Sequence, residues 1–255
     1  MPHILLTNDD GIYAEGIYAL YLELKKITPS VTIVAPDSEQ SSVGHGITLS
    51  HPIWHKKVSR KGRFFGFGIS GTPADCVKFA ISVLLKKKPD MVISGINFGP
   101  NDGCSVFYSG TVAGAREGAL LGIPSMAVSL SSFINPNFSS AARYGAKLAK
   151  AFIKKGMPKG TFLNVNVPGV KSSRIKGIKI TRQCTDPIHS SFFRRRDPHL
   201  RDYYWMTGRA ASKEKDLNID TYALNQNYVT ITPVQSDSTD YPFWNELSKK
   251  GKGAP

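Results

Sequence analysis

Cysteine is scarce: the 255 residues contain three. Cys76, Cys104 and Cys184 are odd in number, far apart and without a Cys-x-x-Cys pair, which argues against a disulfide framework or a zinc site and for a reducing cytoplasm. Acidic residues are also few, 19 Asp and Glu against 33 Lys and Arg, for a net charge of +14. Long apolar runs are missing. The longest uncharged stretch, residues 118–142, contains Pro124, Pro136 and several Asn and Ser, a poor composition for a membrane helix. The opening MPHILLTNDDG reaches two Asp before an apolar segment of leader length can form, which argues against a signal peptide. No low-complexity tract occurs, and 41% hydrophobic residues with 20% charged ones support one substantial core rather than disorder.

The positive charge is unevenly spread. Residues 171–215 hold twelve Lys and Arg against four Asp and Glu, a balance of +8. The stretch FFRRRDPHLRDYYWMTGR interleaves basic and aromatic side chains, a pattern that can stack on bases. The plainer reading is a solvated or interface-forming hairpin, and nucleic acid is the less favoured partner.

Hydrophobic periodicity predicts alternating strands and helices over the first two thirds. Strands are expected at residues 3–7, 31–35, 91–94, 125–130 and 162–167, and helices at 17–27, 75–87, 111–121 and 139–155. This rhythm implies an α/β fold, a Rossmann-like three-layer core with a mostly parallel sheet. Right-handed crossovers would bring the strand C-termini to one edge, where such folds bind ligands. After Pro168 the rhythm changes. Residues 175–181, the basic aromatic stretch and residues 228–232 read as strands without helical crossovers, an antiparallel β-arm protruding from the core, with a short helix near 243–249. The expected division is a catalytic core at 1–170 and, at 171–255, an arm for oligomerisation plus a C-terminal segment packing back on the core.

Three expected strand-end loops carry chemistry. Asn8-Asp9-Asp10-Gly11 sets two carboxylates side by side, an arrangement that repels itself unless a cation intervenes. Hard divalent ions such as Mg²⁺ or Mn²⁺ take oxygen ligands of this kind, although a polar turn with an Asp cap is an equal reading. The loop from Ala35 to Gly46 (APDSEQSSVGHG) offers hydroxyls and the imidazole of His45, and reads as a ligand-binding loop rather than a nucleophile elbow. Asn97, in SGINFGPNDG, supplies a neutral oxygen suited to a hard metal. Tyr108-Ser109-Gly110-Thr111 opens a helix whose free N–H groups and dipole favour an anion, with capping by Ser109 or Thr111 a compatible reading. Gly71-Thr72-Pro73-Ala74-Asp75 reads as a structural helix start capped by Thr72. Carboxylates, hydroxyls, an amide and an anion-binding helix start together suit metal-assisted hydrolysis of a phosphate ester.

The ordered motifs NDDG, APDSEQSS, GTPADCV, SGIN-x-GPN and YSGTVAGAREG closely resemble the SurE family of survival-protein nucleotidases, densely over residues 3–130 and more loosely through NVNVP, DYYWMTG and NYVTITP. The resemblance implies a cytoplasmic, metal-dependent 5′-nucleotidase that hydrolyses nucleoside 5′- and 3′-monophosphates, with short polyphosphate or non-nucleotide phosphate esters as alternatives. It implies one divalent metal per subunit, Mg²⁺ or Mn²⁺, on Asp9, Asp10, Ser41 and Asn97, with Asp9, Asp10 and Asn97 catalytic. Phosphate is expected near Asn8, Asn97, Ser109, Gly110 and Thr111. It also implies a β-arm exchanged in a homodimer or homotetramer. Where family members often carry an acidic residue and an imidazole before the Tyr, this chain has Ser105 and Phe107. The proton donor to the leaving alcohol is therefore left among His45, bulk water and metal-bound water.

Overall fold

Ile4, Leu5 and Leu6 are all fully buried, as in a strand covered on both faces, and with Thr7 they form β1 (Ile4–Thr7) at the middle of the molecule. The chain is described by a computed structural model, which covers residues 1–134, 136–209 and 213–250. After β1 come α1 (Glu15–Leu24), β2 (Val31–Pro36), β3 (His55–Arg60), β4 (Arg63–Ile69), α2 (Pro73–Phe79), β5 (Met91–Phe98) and α3 (Gly110–Leu120). Then follow β6 (Ser125–Ser131), α4 (Ser139–Lys155), β7 (Thr161–Pro168), β8 (Ile178–Ile180), β9 (His189–Arg196), β10 (Asp202–Arg209), α5 (Asp220–Asn225), β11 (Val229–Gln235) and α6 (Tyr241–Lys250).

Nine strands make one sheet in the order β3-β4-β2-β1-β5-β6-β7-β11-β8. From β4 to β7 neighbouring strands run parallel. β3 joins β4 and β11 joins β7 in antiparallel fashion. Alternate residues of β1 feed opposite layers: Ile4 and Leu6 pack with α1 and α4, whereas Leu5 packs with Cys76 and Val77 of α2. The fold is thus a three-layer α/β core with a mostly parallel sheet. The antiparallel β9–β10 hairpin forms a separate two-stranded sheet. The chain order turns back at β1, with β2 on one side and β5 on the other. The strand C-termini at such a switch point leave a crevice for ligands.

The amphipathic pattern of α4 matches the observed helix, Ser139–Lys155. Other expectations need correction. The helix expected at 75–87 begins at Pro73 behind a Thr72–Asp75 capping box and ends at Phe79, with one wider turn, Ala80–Leu84, after it. The Lys86–Lys88 run and Pro89 oppose continuation, because the residue before proline avoids the helical region. β3 and β4, joined through Lys61 and Gly62 at positive φ, were not anticipated. After Pro168 the short helix expected near 243–249 is α6, but a further helix, α5, lies between the hairpin and β11, and β8 pairs parallel to β11 rather than antiparallel. Within the segments expected at 171–215 and 171–255, residues 210–212 and 251–255 lie outside the described residues.

Candidate functional site

β1 ends at Thr7 and hands the chain to Asn8, Asp9 and Asp10 at the switch point. Asn8 is fully buried. Its amide donates to the Gly11 carbonyl at 2.9 Å, a tight return that Gly11 accommodates at φ +95°. Its Oδ1 is buried without a partner. Asp9 is buried, and its carboxylate accepts from the Thr111 hydroxyl. Burial pushes Asp9 above the ordinary carboxylate range, opposed by hydrogen bonds from the Thr111 hydroxyl and backbone. Asp10 accepts from the Phe98 backbone N–H at 3.1 Å. Burial first and the charge of Asp9 second push Asp10 up to about 7. Two acids side by side in a place that disfavours their charge are stabilised by a cation or by protons.

Backbone approach sets the rest. α3 starts against Asp9: a Cβ on Gly110 would stand 2.9 Å from the Asp9 Cβ and 3.1 Å from its Oδ2. Glycine therefore lets the helix N-terminus touch the acid. Ser109 caps that helix, accepting from the Val112 N–H at 3.0 Å. The loop after β2 is drawn over by the Gln40 N–H donating to the Asp9 carbonyl at 2.8 Å. Asn97 lies at the C-terminal end of β5, its amide donating to the Gly99 carbonyl at 2.8 Å.

Asp9, Asp10, Gly110 and Thr111 are thus brought together, with Asn97 next to the residue whose N–H binds Asp10. Ser41 is placed less directly. It is exposed, and its hydroxyl donates to Glu39 rather than to the acidic pair. Glu39 itself is near enough that its charge adds to the upward push on Asp9 and Asp10. Among the described residues no three His, Cys, Asp or Glu side chains form a metal-holding group. The expected donor set has two acids and completes itself with a hydroxyl and an amide.

Two sets of contacts in the site region escaped sequence reasoning. The His45 Nε2 faces Glu117 of α3 at 2.9 Å, so this nitrogen is already engaged and not free for a leaving oxygen. Beneath the loop that follows β5 lies a buried amide cluster. Asn166 accepts from the Asn101 N–H at 2.8 Å, and Asn164 donates to the Asn101 carbonyl at 2.6 Å. The only sequence sign was polar residues recurring inside the apolar strand FLNVNVP, where a buried strand should be continuously hydrophobic.

The profile of the family described as Survival protein SurE matches residues 4–190. The 5'-nucleotidase SurE of Syntrophobacter fumaroxidans is 48% identical over 246 residues, 96% of this chain and 98% of that protein. The 5'-nucleotidase SurE of Thermosipho melanesiensis is 45% identical, over 97% of each chain. The crystal structure of the SurE protein from Aquifex aeolicus superposes with a TM-score of 0.85 at 38% identity, covering 98% of this chain and all of that one. Likeness that runs end to end, in sequence and in three dimensions alike, is what common descent leaves, and this chain belongs to the SurE family.

Proposed function

We propose that this protein is a metal-dependent nucleotidase that hydrolyses nucleoside 5′- and 3′-monophosphates to nucleoside and phosphate. The observation that carries the reading is the start of α3 pressed against a buried Asp pair at the sheet's switch point, in a chain nearly half identical to proteins named 5'-nucleotidase SurE. Asp9, Asp10, Ser41 and Asn97 would hold one divalent ion. Their donor set fits Mg²⁺ or Mn²⁺, since all four offer oxygen and the two carboxylates are crowded enough to be raised by burial. When bound, the ion supplies positive charge to a phosphoryl oxygen and acidifies water.

The chain's own residues do the positioning. Thr111 orients the Asp9 carboxylate through its hydroxyl. The N-terminus of α3, at Ser109, Gly110 and Thr111, presents its dipole toward an incoming phosphate, with Asn8 and Asn97 flanking it. The Ser105 hydroxyl is too weak an acid, Phe107 has no exchangeable proton, and the Nε2 of His45 is engaged by Glu117, which favours water as the proton source for the leaving alcohol.

The β9–β10 hairpin belongs to the same proposal as an assembly element. Phe192, Phe193, Tyr203, Tyr204, Trp205 and Met206 are all exposed on it, and a lone two-stranded ribbon is marginal in water. Aromatic side chains and Arg are the types enriched in interface cores, so the hairpin serves a homodimer or homotetramer. Three of its five arginines are paired within it: Arg194 and Arg196 share Asp202, and Arg201 meets Asp197. The exposed aromatics place assembly ahead of nucleic acid as its role. The three free thiols suit a reducing cytoplasm. No helix among the described residues is long and apolar enough to cross a membrane.

Phosphate release from nucleoside 5′- and 3′-monophosphates, glycerol phosphate and tripolyphosphate, each with EDTA, Mg²⁺ or Mn²⁺, tests the reading. Metal-dependent release that favours the nucleotides is expected. Release indifferent to EDTA, or faster from glycerol phosphate, would overturn it.

A further inference from the structure

The loop between β2 and β3 carries Ser41 without regular secondary structure, so its place over the acidic pair depends on discrete anchors. Four are present. The Gln40 N–H donates to the Asp9 carbonyl at 2.8 Å, and the Gly44 N–H to the Tyr108 carbonyl at 2.9 Å. Thr48 donates twice to Asp75, from its N–H at 3.0 Å and its hydroxyl at 2.6 Å. Between them, the His45 Nε2 reaches the Glu117 carboxylate at 2.9 Å. Glu117 is almost wholly buried, and its other oxygen takes Lys78 of α2 at 2.8 Å. Burial pushes the Glu117 carboxyl up, but hydrogen bonds from His45 and Lys78 outweigh it and leave it below its ordinary value. An ionised carboxylate held in the interior binds its partners strongly, because losing one leaves charge buried.

Ser42, beside Ser41, sits at φ +58°, a left-handed conformation that a non-glycine residue keeps only when its surroundings hold it there. Ser42 lies between the Gln40 and His45 anchors. Glu117 lies on the same helix whose first residues meet Asp9. One rigid element therefore locates both the acidic pair and the loop that must bring Ser41 to it.

We propose that Glu117, acting through His45, is a positioning residue that holds the Ser41 loop over the Asp9–Asp10 pair and thereby sets the affinity of the site for its divalent ion. The inference rests on the metal-site reading above and adds to it a residue remote from the ion. Without the tether, the loop has to be ordered at the moment of metal binding, so the loss appears in affinity rather than in the chemical step. Removing a partner that orients a metal ligand typically weakens binding by about tenfold to a hundredfold.

The test is direct Mn²⁺ titration of the intact protein, by calorimetry or by electron paramagnetic resonance of free Mn²⁺, alongside kcat at saturating Mn²⁺. His45→Ala should raise the Mn²⁺ dissociation constant about tenfold or more, with kcat at saturation within about threefold of the unsubstituted chain. His45→Gln, which returns an N–H near the place of Nε2, should recover most of that affinity. Glu117→Gln, which weakens the His45 contact and also the Lys78 pair, should shift affinity in the same direction as His45→Ala, and adding His45→Ala to it should lower affinity little further, since the His45 contact is already weakened. An unchanged dissociation constant in His45→Ala would overturn the tether while leaving the metal site standing. A large fall in kcat with affinity unchanged would overturn it too, and make His45 the proton donor. An unsubstituted chain that binds no Mn²⁺ would overturn the metal site itself and the tether with it.

Discussion

Asp10→Asn should stabilise the metal-free protein while disabling it. Asp10 ionises at about 7 in the folded chain against an ordinary 3.8. One pKa unit corresponds to about 1.4 kcal/mol, so the full shift sets a ceiling of about 4 kcal/mol on the cost of its charge. Asp10 keeps some contact with solvent, and screening brings the realistic figure to about 1–2 kcal/mol. Asn is nearly isosteric, removes the charge, and its carbonyl can still accept from the Phe98 N–H. In a chain of this size each kcal/mol moves the melting temperature by about 2–4 °C, so a rise of about 2–8 °C is expected in EDTA near pH 8. The pH dependence has a definite sign. Between the ordinary and the folded-state values the folded carboxyl binds more protons than the unfolded one, so its stabilising effect is complete at low pH and is lost as pH climbs through about 7. The advantage of Asn should therefore shrink by about half near pH 5.5. Adding Mn²⁺ should reverse the order, because the ion stabilises only the chain that binds it. Scanning calorimetry at the two pH values, with EDTA and with Mn²⁺, measures all of this. A variant no more stable than the parent at pH 8 in EDTA would refute the claim that the Asp10 charge is held at a cost, set by burial first and by Asp9 second.

Three further outcomes are expected. Thr111→Val keeps the shape of the helix start but removes the hydroxyl on Asp9, and steady-state kinetics with metal titration should show KM or the metal requirement rising about tenfold to a hundredfold; wild-type values would reduce the residue to helix structure. Gly110→Ala normally favours a helix by up to about 1 kcal/mol, but here the methyl would meet Asp9 at 2.9 Å, so turnover should fall by about tenfold or more while circular dichroism is retained, and parental turnover would show that Asp9 tolerates displacement. Replacing residues 185–209 with a short Gly/Ser turn should lower the mass measured by light scattering before it abolishes phosphate release, and an unchanged mass would refute the assembly role of the hairpin.

Local pattern was enough for much of the architecture. The run that became β1 and the amphipathic repeat of α4 are readable because each buries a face that its own spacing defines. The adjacent carboxylates Asp9 and Asp10 are readable for the same reason: repulsion between neighbours in the chain needs no fold to be inferred. The hairpin β3–β4 escaped because its strands mix exposed Lys and Arg with glycines, and α5 because six residues are too few to show a period. What joins distant segments was decided by tertiary structure alone. Thr111 meets Asp9 across 102 residues, and His45 meets Glu117 across 72. Nothing in the composition of AREG distinguishes Glu117 from a solvated helix charge. Only the stacking of α2 and α3 under the sheet buries that carboxylate, and a buried charge is obliged to find its partners wherever the fold has put them.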